Sequence, residues 1–285
     1  MHATVLKQFG FLSITGKDAI TFLQGYATCD LDHLSPDRAG LGAICNLQCR
    51  MLVSFRVIKL NDGLLLRIHR DLVDKTRLFL GKYIVFSKAE MSDMSEIYTC
   101  YGAMTEAPNM QLPQVNDLAM KDGNIVIKVS DSGPRFEIWA QQEIKSTDSA
   151  FTAQHWQKAE IDDGFAWVDG TSSEEHIPQM FNYHNIDGID FEKGCYLGQE
   201  IIARLEFRGK LKRKLHRGGT ASQVSSGNAL VSDAGKPLGA IVNVAHINNH
   251  YSILAVLQNT GTDAINASLE SGESILFSPV VQEPG

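Results

Sequence analysis

Lys193-Gly194-Cys195-Tyr196-Leu197-Gly198-Gln199-Glu200 is the stretch on which the reading of this 285-residue chain turns. Two glycines, Gly194 and Gly198, bound Cys195-Tyr196-Leu197, so the backbone there can take tight or left-handed conformations. Residues 199–207 then make a good helical run, with Glu200 and Arg204 spaced as an i,i+4 pair. Cys195 is therefore expected in a glycine-bounded turn just before a helix N-terminus. Unpaired helix N–H groups, with Lys193 two residues back, would favour its thiolate there. A thiolate so placed serves as nucleophile, soft-metal ligand or redox group. The same residues are equally compatible with a small buried thiol.

Working outward, a helix is expected over residues 15–25. Thr15 and Asp18 give a weak capping box, Ala19, Ile20, Phe22 and Leu23 an apolar face, and Gly25 a stop. A hairpin follows, in which Val53, Phe55 and Val57 alternate with Ser54 and Arg56 and the chain returns over residues 64–68 after Asn61-Asp62-Gly63. Residues 71–80 read as a helix closed by Gly81, and residues 83–86 as a strand. Asp122-Gly123 marks a second hairpin, leading into residues 125–129 and 136–140. Strands mixed with helices and joined by tight hairpins indicate an α+β arrangement rather than a doubly wound parallel sheet. Beyond Phe207, short apolar runs separated by Gly, Asn, Asp and Ser are the signature of a small all-β module. The expected division is 1–207 and 208–285.

The totals narrow the function. Hydrophobic residues make up 44% and charged residues 21%, the composition of an ordinary globular protein. A net charge of −7 argues against a general polyanion binder. Five scattered cysteines fit reduced thiols better than a disulfide scaffold. The N-terminus lacks a basic region leading into an apolar run, and no apolar stretch approaches the ~18 residues of a membrane span. A cytoplasmic location and no membrane partner are expected.

The quoted stretch, continuing Ile201-Ile202-Ala203-Arg204, resembles the signature of the YgfZ family, folate-binding proteins related to the T-protein (aminomethyltransferase) of the glycine cleavage system. The similarity extends to Ile177-Pro178-Gln179, Asn182 and Gly188-Ile189-Asp190-Phe191 before it, and to Phe207-Arg208-Gly209 with Lys212-Arg213 after it. In the N-terminal half it covers Ile14-Thr15-Gly16 with Phe22-Leu23-Gln24-Gly25, and Lys82-Tyr83 with Phe86-Ser87-Lys88. The resemblance implies a T-protein-like fold, two interwoven α+β subdomains and a C-terminal β-barrel around a central folate pocket. It implies tetrahydrofolate as cofactor. Two tryptophans line the pocket in bacterial members; Trp156 falls at one position and Phe9 at the other, where Phe keeps an aromatic face but no indole N–H. Tyr196, Gln199, Glu200 and Arg204 of the signature are carried over as folate-binding residues. Cys195, as functional thiol, and Lys193 are carried over as the working pair.

The family includes proteins linked to tRNA modification and to iron–sulfur assembly, which implies iron–sulfur enzymes or assembly proteins as partners. The expected function is that of a non-enzymatic folate-binding factor supporting iron–sulfur cluster assembly or repair, and through it tRNA modification. The alternative is a tetrahydrofolate-dependent aminomethyltransferase or demethylase. That chemistry uses a pocket carboxylate, for which Asp74 is the one substitute near Leu66-Arg67-Ile68-His69-Arg70-Asp71. A third class is an interaction scaffold working through Lys212, Arg213 and Lys214.

Other motifs carry less. Cys45 and Cys49 form a C-x3-C pair, but no second Cys/His pair of suitable spacing accompanies them, and no metal is expected. Seven Lys or Arg residues stand between Arg204 and Arg217 against one acid, Glu206. They suit a folate glutamate tail, RNA or an acidic protein, or else a solvated connector. No aromatics interleave residues 210–214, so direct nucleic-acid binding is not expected. Asp71, Asp74 and the Asp162-Asp163 pair read as helix-start and turn residues.

Overall fold

The computed structural model describes residues 2–104, 112–145, 150–259, 261 and 264–281. The chain opens with β1 (His2–Val5), β2 (Phe9–Thr15) and α1 (Ala19–Gln24), followed by β3 (Gly40–Cys45), β4 (Met51–Leu60) and β5 (Gly63–His69). Next come α2 (Val73–Ile84), β6 (Glu90–Asp93), β7 (Thr99–Met104), β8 (Leu118–Lys121), β9 (Asn124–Ser130), β10 (Arg135–Ala140) and α3 (Ala153–Asp162). After short 3-10 turns, α4 (Gln199–Arg208) leads into β11 (Arg213–Thr220), β12 (Ala229–Val231), β13 (Pro237–Ile247), β14 (His250–Gln258), β15 (Ile265–Leu269) and β16 (Ser274–Pro279).

These strands make two five-stranded sheets, ordered β1-β7-β10-β9-β8 and β3-β4-β5-β2-β6, and a closed barrel, β11-β14-β13-β12-β15-β16. Because β1 belongs to one sheet, β2 to β6 to the other, and β7 to the first again, the two α+β units are interwoven. The hairpins form where turn chemistry demands. Asn61-Asp62 joins β4 to β5, and Asp122-Gly123, both at positive φ, joins β8 to β9. Asn248 and Asn249, also at positive φ, make the same kind of turn between β13 and β14.

The central strands β2, β4 and β5 are buried on both faces, β4 included despite its alternating sequence. One face carries Leu12, Ile14, Val53, Phe55, Val57, Leu64, Leu66 and Ile68 into a core shared with α1 and α2. The opposite face carries Phe9, Phe11, Ile58 and Leu65 toward Trp139, Trp156 and Trp167. Arg56 and Arg67, direct cross-strand neighbours, lie on this second face and are buried. Two like charges side by side are unfavourable, and Glu137 of β10 compensates them. Its carboxylate takes the Arg67 guanidinium at 2.5 and 3.2 Å, with Arg56 Nε at 3.5 Å. Ser54, read as polar alternation in the strand, is also buried and its hydroxyl accepts the Val168 N–H at 2.9 Å.

Two local expectations are corrected. Residues 83–86 are not a strand, and Gly81 does not stop the preceding helix; α2 runs on to Ile84. Phe79 and Tyr83, one helical turn apart, both pack on Tyr26 below α1, and that contact rewards the extra turn. Thr15 and Asp18 make no capping box: Asp18 is the N-cap of α1 without a side-chain capping bond, and its carboxylate instead accepts the Lys88 N–H at 2.8 Å.

A buried histidine gives the fold a pH dependence. His176, 7% exposed, lies 5.5 Å from the Phe181 ring centroid. Burial, then Arg213 and Arg50, push its pKa down to about 4. Below pH 6.5 the unfolded chain binds a proton that the folded chain refuses, so stability falls as the pH drops from 6.5 toward 4. At most about 3 kcal/mol is lost this way. Urea midpoints measured across that window are expected to flatten in His176→Gln relative to the parent; parallel curves would exclude this residue as the cause.

Candidate functional site

The Cys195 loop is built from its anchors. Asp190 Oδ1 accepts the N–H groups of Glu192 and Lys193 at 2.7 and 2.9 Å, turning the chain. Thr28 holds the segment onto β3. Its hydroxyl donates to the Gly188 carbonyl at 2.6 Å, its carbonyl accepts the Asp190 N–H, and its Oγ1 accepts the Ala43 N–H. Further on, the Leu197 N–H donates to the Gly25 carbonyl at 3.0 Å.

Lys193 is the central tie. Its side chain is buried, and Nζ donates to the carbonyls of Gln24, Ala27 and Cys29 at 2.7–2.9 Å and to Gln24 Oε1 at 3.2 Å. The ammonium also stands 4.9 Å from the Tyr196 ring centroid. It is thus committed to the end of α1 rather than to the thiol two residues on. Gly198 closes the loop at φ 87, and a side chain there would press on the Asn46 carbonyl and Cys49 Cα at 3.3 and 3.4 Å. Only glycine suits both the conformation and the space.

Cys195 emerges from this scaffold exposed, whereas Cys29, Cys45, Cys49 and Cys100 are all buried. It borders an open hollow of about 610 Å³ with Tyr26, Leu47, Tyr196, Gln199 and Glu200. Arg204 is exposed on α4 one turn beyond Glu200. Tyr196 is buried, and its hydroxyl has no hydrogen-bond partner. Burial, with Cys45 and Cys49 nearby, pushes its ionisation up, so the phenol is neutral. Cys45 is likewise held protonated by its hydrogen bond with Cys49 and by burial. No cluster of three or more His, Cys, Asp or Glu side chains suited to a metal occurs among the described residues.

The second feature lies where the two sheets meet the barrel. Two chambers, of about 50 and 190 Å³, both have Glu160 and Phe165 in their walls, so these two side chains stand between them. Phe9, Trp167, Gln8, His69 and Gln157 line the smaller chamber. Arg56, Asn116, Arg135 and Asp163 line the larger. Trp167 Nε1 donates to Glu160 at 2.9 Å, and the Arg67 guanidinium lies 3.8 Å from the ring centroids of both Phe9 and Trp167. Burial raises the Glu160 pKa, against the pull of Trp167, Arg135 and Arg67. Several buried polar atoms here lack hydrogen-bond partners: Gln8 Nε2, Gln157 Oε1, and Nε and Nη1 of Arg135. Aromatic surface, cationic donors and an acceptor carboxylate together suit a flat heteroaromatic ligand.

The structure distributes the expected site residues over these two places. Phe9 lines the smaller chamber; Trp156 lines neither, because it is fully buried against Gly102 in the adjoining core. Tyr196, Gln199 and Glu200 border the Cys195 hollow instead. Asp74 is exposed and pairs with Arg77. Sequence reasoning missed Trp167, Glu160 and the arginines. The available signal was charged residues, Arg56, Arg67, Arg135 and Glu137, inside largely apolar strands.

No protein-family model matches the chain. The tRNA-modifying protein YgfZ of Vibrio atlanticus is 30% identical, over 93% of this chain and 87% of that relative. Its namesake in Yersinia pseudotuberculosis is 28% identical, over 89% and 83%. Among solved structures, glycine cleavage system aminomethyltransferase T from Bartonella henselae matches with a TM-score of 0.71 at 11% identity, covering 99% of this chain and 88% of that one. The fold is therefore that of the T-protein, mixed helix and sheet with a C-terminal barrel. With similarity to the Vibrio protein running nearly end to end, the chain belongs to the YgfZ family.

Proposed function

We propose that this chain is a tetrahydrofolate-binding accessory factor in the cytoplasm that supports assembly or repair of iron–sulfur clusters, and thereby tRNA modification. The observation that carries the reading is Cys195, an exposed thiol on a loop fixed by Lys193, Asp190 and Thr28. No base is hydrogen-bonded to that thiol among the described residues, so it suits a handling group better than the nucleophile of a hydrolase. The relatives, named tRNA-modifying proteins, support the link to tRNA modification. The working residues are Cys195, positioned by Lys193, with Tyr196, Gln199 and Glu200 around it and Arg204 one turn further along α4. No helix among the described residues is long and apolar enough to cross a membrane.

The partnerless polar atoms of the central chambers fit a pterin in kind. Gln8 Nε2 and the Nε and Nη1 of Arg135 are free to donate, Gln157 Oε1 to accept, and Phe9, Phe165 and Trp167 offer ring faces. In volume the chambers fall short of the ~300 Å³ at which small-molecule sites begin, so Phe165 has to swing aside to join them. When bound, the folate supplies a one-carbon carrier; the chain contributes its orientation and exclusion of water.

Titration with tetrahydrofolate, followed by tryptophan fluorescence, tests this reading. A saturable change is expected, most of it lost in Trp167→Phe and retained in Trp156→Phe. Glu160→Gln is expected to weaken binding about tenfold, one charge-assisted hydrogen bond. No saturable change in the parent protein would remove folate from the proposal. The likeness to aminomethyltransferase T favours a second reading, one-carbon transfer, which release of methylene-tetrahydrofolate from aminomethyl donors would reveal.

A further inference from the structure

A cleft of about 650 Å³ opens where α4, the 3-10 turn Pro178–Phe181 and the end of β16 meet the barrel. It shares no lining residue with the central chambers or with the Cys195 hollow. Its size falls within the ~300–1,000 Å³ of small-molecule sites. The basic segment singled out in the sequence runs along it: Lys210 and Lys214 line the cleft, opposed by one acid among the described residues, Glu206.

The polar floor is under-satisfied. Gln179, 3% exposed, donates from Nε2 to the Ile202 carbonyl at 2.9 Å, while its Oε1 has no partner. Flipping the amide would set two oxygens face to face, so an acceptor is left bare. His184 Nδ1 is also buried without a partner. His216 is buried and uses Nδ1 on the Lys214 carbonyl at 2.9 Å. Burial pushes both imidazoles below their ordinary range, against Glu206 at His184 and against the Lys214 carbonyl bond at His216; with Nδ1 donating to that carbonyl, His216 keeps Nε2 as an acceptor. Leu205, Pro279 and Val280 supply apolar surface beside these groups.

Bare acceptors deep in a cleft call for a ligand with N–H donors, and two ammonium groups along it call for an anion. Inorganic phosphate meets only the second demand. We propose that this cleft binds a nucleoside phosphate: Lys210 and Lys214 meet the phosphate, Gln179 Oε1 and His184 meet the polar edge of the base, and Leu205, Pro279 and Val280 cover its faces. The site is separate from the folate reading and stands or falls without it.

Calorimetric titration of the full chain with AMP, GMP, CMP and UMP tests the site, with inorganic phosphate, adenosine and triglutamate as companion ligands. At least one nucleotide is expected to bind saturably, about tenfold or more tighter than phosphate or its own nucleoside. Lys210→Glu with Lys214→Glu, both exposed positions, is expected to weaken it about tenfold or more, whereas the exposed Lys212→Glu, outside the cleft, changes it less than about twofold. Gln179→Glu should alter the preference among the four bases. The proposal is overturned if no nucleotide saturates, if phosphate binds as tightly as the nucleotides, if Lys212→Glu costs as much as the pair, or if triglutamate binds more tightly than any nucleotide.

Discussion

Replacing Arg67 with Met is expected to destabilise the protein by about 3–5 kcal/mol, the cost of removing one partner from a buried ion pair. The guanidinium is fully buried, makes two bonds to Glu137 and touches the Phe9 and Trp167 rings. Met preserves most of the volume but none of the charge, leaving Glu137 to Arg56 at 3.5 Å and to the Trp139 N–H at 2.9 Å. Burial alone would raise the Glu137 pKa; Arg67 and then Arg56 outweigh it and hold the carboxyl below its usual range. A depressed carboxylate contributes stability above its unfolded pKa of about 4.5 and loses it as the pH falls through the folded value. The penalty of Arg67→Met is therefore expected to be full at pH 7 and to shrink below pH 4.5. Urea denaturation at the two pH values measures it, and an equal penalty at both would show that packing, not the ion pair, carries the effect.

Lys193→Met is expected to cost about 2–3 kcal/mol, because the carbonyls of Gln24, Ala27 and Cys29, at and after the end of α1, lose a charged donor at once. The amides of residues 190–198 should exchange faster, since their loop is tied to α1 chiefly through that ammonium. This outcome separates two roles for one residue. Were Lys193 chiefly a charge that activates Cys195, the substitution would slow alkylation of the thiol and leave stability and exchange untouched. The observed bonds favour the first role.

That contrast shows what was legible in the sequence. Local chemistry wrote itself plainly: the Asp122-Gly123 turn, the apolar runs of the barrel, and Gly198, which the structure uses at positive φ. The motif resemblance carried the overall T-protein-like fold, which pattern alone did not reach. Long-range partnerships left no local trace. Nothing near Lys193 announces that its ammonium will meet residues 24–29, some 165 positions away. Residues 83–86 look extended because they are β-branched and aromatic, yet contact with Tyr26 keeps residues 83–84 in α2. The aromatic pocket shows the same limit. Trp156, the position the family pattern singles out, is sealed behind Gly102, while Trp167, which no motif marked, reaches the chamber beside Phe9. Which aromatic ring meets a cavity depends on what packs behind it, and that is a property of the assembled sheets.

Complementation reaches the centre of the proposed function most directly. In a strain lacking its own YgfZ protein, this chain is expected to restore the activity of a radical iron–sulfur tRNA-modifying enzyme. Cys195→Ala is expected to lose about tenfold or more of that activity while its unfolding free energy stays within about 0.5 kcal/mol of the parent, as for other exposed positions. Full activity with Cys195→Ala, at equal protein level, would contradict the role of the thiol on which the function rests.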